Sequence, residues 1–305
     1  MDKDFFKKIR ILDAGMGQEL LARGLVSKGT LWSATSLINE KYYQLVIDTH
    51  LSSIQAGAEV ILTNTFTTRM VRMEQNQVAD RFHFANKKAC ELALKAKELS
   101  KKNILIAGSL PGQNDTYIAD MRDKNIVENN FSEQASILSP HIDFFYLDVL
   151  SSGREIEIAL KVTQKFNKPV LVGIHIKKNG KLPSGETITE VVQKYKNDSW
   201  LGVISACVSL EIIEKTSDEF KKLGIPFGFK ANLWGVEEPL PVHRFNTAGF
   251  NEIGNNPNIT LGKRDEVTDK IFANFTKKII KNGATILGGC CETNASHIRE
   301  IAQLK

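Results

Sequence analysis

The 305-residue chain holds only 4 Cys, 8 Pro and 3 Trp. No apolar run approaches the roughly 18 residues that a membrane helix needs. Four cysteines are too few for the disulfide framework of a small secreted scaffold, and a chain of this length buries enough apolar surface to be stable without staples. Scarce proline, 42% hydrophobic and 25% charged residues exclude collagen-like and disordered chains. The first ten residues are charged and have no secretory apolar stretch, so a reducing cytoplasm is the expected location. No linker or composition shift divides the chain, which predicts one domain over 1–305.

The charge excess is also small, 40 Lys and Arg against 35 Asp and Glu, or +5. Lysine pairs at 87–88, 101–102, 221–222 and 277–278 fall within or just after helical segments, where cations offset the helix dipole and solvate the surface. The pattern reads as a solvated face and not as a nucleic-acid site.

Eight short apolar runs are present, at 9–12, 59–62, 104–107, 144–147, 170–174, 202–204, 226–229 and 285–287. Each is nearly continuous in apolar character, as parallel strands covered on both faces require. Helical spacing separates them: Tyr43, Val46, Ile47, Leu51 and Ile54 share one face, and so do Ala85, Ala89, Leu92, Ala93, Ala96 and Leu99. Val267, Ile271, Phe272, Phe275 and Ile279 make a third such face. Gly57, Gly224 and Gly283 stand where helices hand over to strands. Eight strand–helix units predict an α/β fold, a single (βα)8 TIM-type barrel, with an open doubly wound sheet as the alternative. Gly15-Met16-Gly17 lacks the third glycine of a dinucleotide fingerprint.

In such a barrel the chemistry sits at the C-terminal ends of the strands. Asp13, Thr63, Ser109, Asp148, His175, Cys207, Asn232 and the pair Cys290-Cys291 are all expected there, on loops, together with long connections at 111–131 and 233–261. Three thiolates from strands six and eight, with a fourth position open, are the donor set of a catalytic zinc site. Gly288 and Gly289 would give the backbone the bend and the space that two successive sulfurs need. The alternative is that these cysteines are small buried hydrophobes, the role expected of Cys90 among Ala89 and Ala93. A lone His175 at a strand end reads as a hydrogen-bonded barrel residue.

In order along nearly the whole chain stand Asp13-Ala-Gly-Met-Gly-Gln-Glu-Leu, Leu31-Trp32-Ser33-Ala34, Ala56-Gly57-Ala58-Glu59-Val60 with Thr63-Asn64-Thr65-Phe66, Ala107-Gly108-Ser109-Leu110-Pro111, Cys207 and Gly288-Gly289-Cys290-Cys291. In these motifs the chain resembles the homocysteine S-methyltransferase family. The resemblance implies a (βα)8 barrel that holds one Zn2+ through Cys207, Cys290 and Cys291, with the homocysteine thiol as fourth ligand. It further implies that Asp13 and the acidic residue after strand four, Asp148, meet the substrate ammonium, with Gly15 and Thr63 in the substrate-binding loops. No catalytic residue beyond the metal centre is implied.

Three positions depart from the family pattern. Asp148-Val149 stands where Glu-Thr is usual, Ala206 where an Asn commonly precedes the upstream zinc Cys, and Glu292 where a Gly commonly follows the pair. The chain lacks the extensions of betaine and folate-dependent enzymes, and Thr67 replaces the aromatic expected for betaine. A sulfonium donor, S-methylmethionine or S-adenosylmethionine, is therefore expected, with Trp32 stacking on it by cation–π attraction. The alternatives are a donor of the betaine or dimethylsulfoniopropionate type, or a member that binds zinc or thiols without turnover. The expected partners are homocysteine and the donor, with neither nucleic acid nor membrane. The sequence leaves homo-oligomerisation open.

Overall fold

The computed structural model describes residues 2–239, 241 and 258–305. Eight parallel strands occur in the predicted order: β1 Arg10–Ile11, β2 Val60–Leu62, β3 Leu105–Pro111, β4 Phe144–Leu150, β5 Val170–Ile174, β6 Trp200–Val208, β7 Phe227–Ala231 and β8 Ile286–Gly289. Their spatial order is β1-β8-β7-β6-β5-β4-β3-β2. A parallel bridge between Leu12 and Val60 joins the first strand to the second, so the sheet closes as a (βα)8 barrel and the open-sheet alternative falls away.

Side chains alternate across the barrel wall. On β4, Phe144 and Tyr146 point into the barrel interior, while Phe145 and Leu147 pack outward beneath the helices. Both faces are buried, which is why the strand sequences read as unbroken apolar runs. At the N-terminal mouth, Phe6 lies edge-to-face on Phe144 with ring centroids 5.8 Å apart, and it plugs that end of the interior.

The principal outer helices are α1 Tyr43–Ala56, α2 Phe82–Ser100, α3 Lys124–Leu138, α4 Gly153–Thr163, α5 Ile188–Tyr195, α6 Leu210–Lys222, α7 Asp269–Lys281 and α8 Ala295–Ala302. Their ends follow local chemistry. Gly57 takes φ 115° just past α1, a left-handed turn that a Cβ disfavours. Asp123 accepts a hydrogen bond from the Asn125 amide and so starts α3 at residue 124. The loop after β3 is therefore shorter than the expected 111–131. Thr268 caps α7 and leaves Val267 just outside it, buried in the same cluster as Phe272, the pairing of a hydrophobic staple. Cys90 is fully buried on α2, as expected of a packing residue, and burial pushes its thiol up to about 12.

Among the described residues no helix is long and apolar enough to cross a membrane. Most of the connection 233–261, expected as a lid or binding segment, lies outside the described residues.

Candidate metal and substrate site

Cys207, Cys290 and Cys291 converge at the C-terminal end of the barrel, with sulfurs mutually within 4.8 Å. Cys207 Sγ lies 3.5 Å from Cys291 Sγ, and Cys290 Sγ lies 3.9 Å from Cys291 Sγ. A tetrahedral ion with metal–sulfur bonds of about 2.3 Å holds its sulfurs about 3.8 Å apart. The cluster therefore fits one zinc-sized ion, and its soft thiol donors suit zinc. Cys90, on α2, takes no part.

The sequence pattern places Cys207 and Asp148 on loops, whereas both lie within strands, at irregularities in the ladder. The register shifts between Ala206 and Val208 where β6 pairs with β7, and between Leu147 and Leu150 where β4 pairs with β5. Cys207 has φ 54° and Val149 has φ 59°. In each case a left-handed residue in a bulge lets two neighbours face inward. Ala206 and Cys207 both join the interior, and Val208 turns out beneath the helices. Asp148 and Val149 both line the pocket. Such backbone costs about 1–3 kcal/mol per residue and persists where the surroundings enforce it. At Cys207 the enforcement is visible: the Asn232 side-chain amide donates to the Cys207 carbonyl at 2.7 Å.

The glycines before the cysteine pair serve close approach, not a left-handed turn. A Cβ on Gly288 would sit 2.8 Å from Leu12 Cβ, and one on Gly289 would sit 2.1 Å from Thr293 Oγ1. The left-handed turn falls on Glu292, at φ 65°, a conformation that the family's usual glycine adopts without strain. Gly15 is equally constrained, since a Cβ there would lie 2.2 Å from the Cys290 carbonyl oxygen.

The pocket beside the thiols is lined by the expected Asp13, Gly15, Trp32, Thr63 and Asp148. Asp148 accepts a hydrogen bond from Ser109 Oγ at 2.7 Å. Burial pushes its carboxyl up to about 7, against the opposing pull of Ser109 and Lys230. Asp13 accepts from Lys230 Nζ at 2.6 Å and from the Leu62 amide at 2.7 Å. Thr63 Oγ1 accepts from the Ser109 amide at 3.0 Å. Trp32 has φ 47°, and its indole rests so close to Gly17 that a Cβ there would lie 2.7 Å from the ring. His175 stays outside the pocket lining. Its Nδ1 lies 3.4 Å from the Ala206 carbonyl, and burial lowers its pKa, which matches a neutral barrel residue.

Three residues of the site are not singled out by the sequence pattern. Tyr117, from the loop after β3, brings its hydroxyl to 3.1 Å from Cys207 Sγ. Although burial opposes it, hydrogen bonds from Cys290, Cys291 and Tyr117 hold the Cys207 thiol well below its ordinary value. The thiols of Cys290 and Cys291 are pushed up, each chiefly by its hydrogen bond to Cys207. A cation bound among the three sulfurs would favour the thiolate form of all three. Lys230 on β7 had a signal in the sequence, since a lysine in an otherwise apolar buried strand calls for a carboxylate partner. Arg69, after β2, had none beyond its proximity to Thr63-Asn64-Thr65-Phe66.

Comparison with known proteins agrees with this arrangement. The family model for homocysteine S-methyltransferase matches residues 10–304. Homocysteine S-methyltransferase 2 of Zea mays is 21% identical, over 95% of this chain and 88% of its own length. S-methylmethionine–homocysteine S-methyltransferase BHMT2 of Pongo abelii is 25% identical, over 92% and 74%. The homocysteine methyltransferase MmuM of Escherichia coli, in its metallated form, superposes with a TM-score of 0.78 at 19% identity, over 98% of this chain and 96% of that one. The match over almost the entire barrel, with three convergent thiols at its C-terminal end, places the chain in the homocysteine S-methyltransferase family of methyltransferases.

Proposed function

We propose that this protein, as one domain over 1–305, transfers a methyl group from a sulfonium donor to the thiol of homocysteine, giving methionine, in a zinc-dependent reaction. The observation that carries the reading is the set of three thiols within 4.8 Å of one another, opening onto a pocket lined by two carboxylates and by the aromatic rings of Trp32, Phe66, Tyr117 and Trp234. Cys207, Cys290 and Cys291 would hold the ion, leaving its fourth position to the substrate sulfur. Zinc, when bound, supplies deprotonation of a thiol that is mostly protonated at neutral pH. A reducing compartment such as the cytoplasm suits thiols this close together.

The remaining work falls to orientation. Asp148 and Asp13 offer carboxylate oxygens to the homocysteine ammonium. Lys230 neutralises one of the two, so the pair presents about one net negative charge to one cation. Tyr117 donates to Cys207 and favours the thiolate there. Sulfonium donors carry their own leaving group, a neutral thioether, so the transfer needs no general acid. Trp32 offers its π-face to the sulfonium. Thr67 is committed to the Ala34 amide at 3.1 Å and to Ser33 Oγ at 3.1 Å, and adds no ring of its own to the aromatic lining.

The direct test is to load the purified protein with zinc, supply homocysteine with S-methylmethionine, S-adenosylmethionine, betaine or dimethylsulfoniopropionate, and measure methionine. Product with a sulfonium amino acid is expected. Absence of product with every donor, at one bound zinc per chain, refutes the enzyme reading.

Two further outcomes follow from the same geometry. Trp32→Ala should raise the KM of the sulfonium donor about 5- to 30-fold, for a desolvated cation–π contact of about 1–2 kcal/mol, and leave the homocysteine KM unchanged. An unchanged donor KM returns Trp32 to a packing role. Asp148 is neutral below about pH 7, so homocysteine binding should tighten as the pH rises through that value and the carboxylate forms. Asp148→Asn should raise the homocysteine KM roughly 10-fold or more and flatten that limb of the pH profile, leaving only the dependence due to the substrate thiol. A pH profile identical to the wild type assigns the limb to another group.

A further inference from the structure

Three cations line the pocket: Arg69, Arg72 and Lys230. Two of them have carboxylate partners within the protein. Lys230 meets Asp13 at 2.6 Å, and Arg72 meets Asp115 at 3.0 Å. Arg69 has none within 4 Å among the described residues, although only 2% of it is exposed.

A guanidinium has five N–H donors and keeps its charge, so burying it calls for acceptors and a counter-charge. The described residues provide two acceptors, both neutral. Arg69 donates through Nη1 to the Gly112 carbonyl at 2.8 Å and through Nη2 to Thr116 Oγ1 at 3.0 Å. The Phe66 ring lies 4.9 Å from the guanidinium carbon, which adds cation–π attraction without adding a counter-ion. Among the described residues Nε–H has no acceptor. Burial and repulsion from Arg72 push its pKa down to about 9, against the weaker pull of Asp115, Asp148 and Glu155 at longer range, so the group remains a cation at neutral pH in a site that penalises it. A carboxylate entering the pocket would supply the missing charge and the missing acceptors together, in the planar geometry that a guanidinium matches.

We infer that Arg69 is the receptor for the carboxylate of a substrate bound in this pocket. The two hydrogen bonds to Gly112 and Thr116 hold the guanidinium in place, and among the described residues no carboxylate touches it, so a ligand carboxylate would be its first direct ion-pair partner. The choice of ligands rests on the proposed reaction, in which homocysteine and an amino-acid sulfonium each bring a carboxylate. The chemistry of recognition is the same for both, and the experiment separates them.

Equilibrium binding is measured by calorimetry on the zinc-loaded protein with four probes: homocysteine, S-methylmethionine, and the decarboxylated counterpart of each. In the wild type, one of the two pairs should show a carboxylate preference of roughly 10- to 100-fold, the worth of a charge-assisted hydrogen bond. Arg69→Met should erase that preference while leaving the decarboxylated probe's affinity unchanged. Arg69→Lys, which keeps the charge but loses the fork, should reduce it several-fold. Which pair responds identifies the substrate read. No preference in the wild type, a preference that survives Arg69→Met, or equal losses for both members of a pair overturns the inference and makes Arg69 a purely structural anchor. If Arg69→Met does not fold, the wild type and Arg69→Lys decide alone, and an unchanged preference in Arg69→Lys overturns it. Because binding needs no turnover, an Arg69-dependent preference without methionine formation refutes the proposed reaction and leaves this inference standing.

Discussion

Cys290→Ala should abolish stoichiometric zinc binding and with it more than about 99.9% of methyl transfer. In the proposed site three thiolates and a substrate sulfur would be the whole donor set, so removing one would leave two protein ligands, too few for a site that must also keep a position open. Apparent zinc affinities at thiolate-rich sites are about 10–16 kcal/mol, and losing one of three protein ligands takes a large part of that. Metal content after dialysis against a mild chelator should fall from one per chain to well below one. The fold should survive, because Cys290 is half-buried on the loop after β8 and the barrel interior is filled by apolar side chains that need no ion. Cys90→Ala is the matched control: it removes a thiol from the packed face of α2 and should keep full zinc occupancy at a modest loss of stability. Full occupancy in Cys290→Ala would refute the three-thiolate site.

The architecture was legible in the sequence because each strand is covered on both faces. Phe144, Phe145, Tyr146 and Leu147 are all apolar, and eight unbroken runs of that kind, spaced by helical segments, are what a parallel sheet buried on both sides produces. The runs nevertheless end too early. β3, β4 and β6 continue through Ser109, Asp148 and Cys207, since a backbone ladder needs no apolar side chains at its end. Polar residues there mark the site, not the loop. The three cysteines were legible as a set from Gly288-Gly289-Cys290-Cys291 and the strand order, but the means of aiming them was not. Left-handed backbone at Val149, Cys207 and Glu292 runs against what side chains with a Cβ prefer; at Val149 and Cys207 it goes with the bulges, and at Cys207 also with the Asn232 hydrogen bond. Tyr117 was hidden for a different reason. Its approach to Cys207 depends on the path of the loop after β3, which no periodicity encodes.

Lys230→Met should destabilise the protein by about 3–5 kcal/mol, a loss on the order of 10 °C in Tm. Lys230 and Asp13 are each only 5% exposed at the side chain and stand 2.6 Å apart. Lys230 Nζ also donates to the Asp13 backbone carbonyl at 2.9 Å. Removing the lysine strands a carboxylate in the barrel mouth with the Leu62 amide as its remaining donor among the described residues, and a buried unpaired charge costs far more than the pair contributed. Adding Asp13→Asn to Lys230→Met should therefore recover part of the loss, so that the double variant is more stable than the sum of the singles requires. Denaturant unfolding of the four proteins reads this coupling, and a Lys230→Met loss below about 1 kcal/mol would show that the pair is solvated. The result also separates the two carboxylates of the pocket. Asp13 spends one oxygen on Lys230 and the other on Leu62, so Asp13→Asn should show first in stability. Asp148 is held by the Ser109 hydroxyl and, among the described residues, feels Lys230 only at a distance and makes no ion pair, so Asp148→Asn should show first in the homocysteine KM. Of the two carboxylates that face the ammonium, Asp13 then also fixes the mouth of the barrel and Asp148 carries the larger share of substrate binding, an assignment reversed if Asp13→Asn leaves Tm unchanged and weakens homocysteine binding more than Asp148→Asn does.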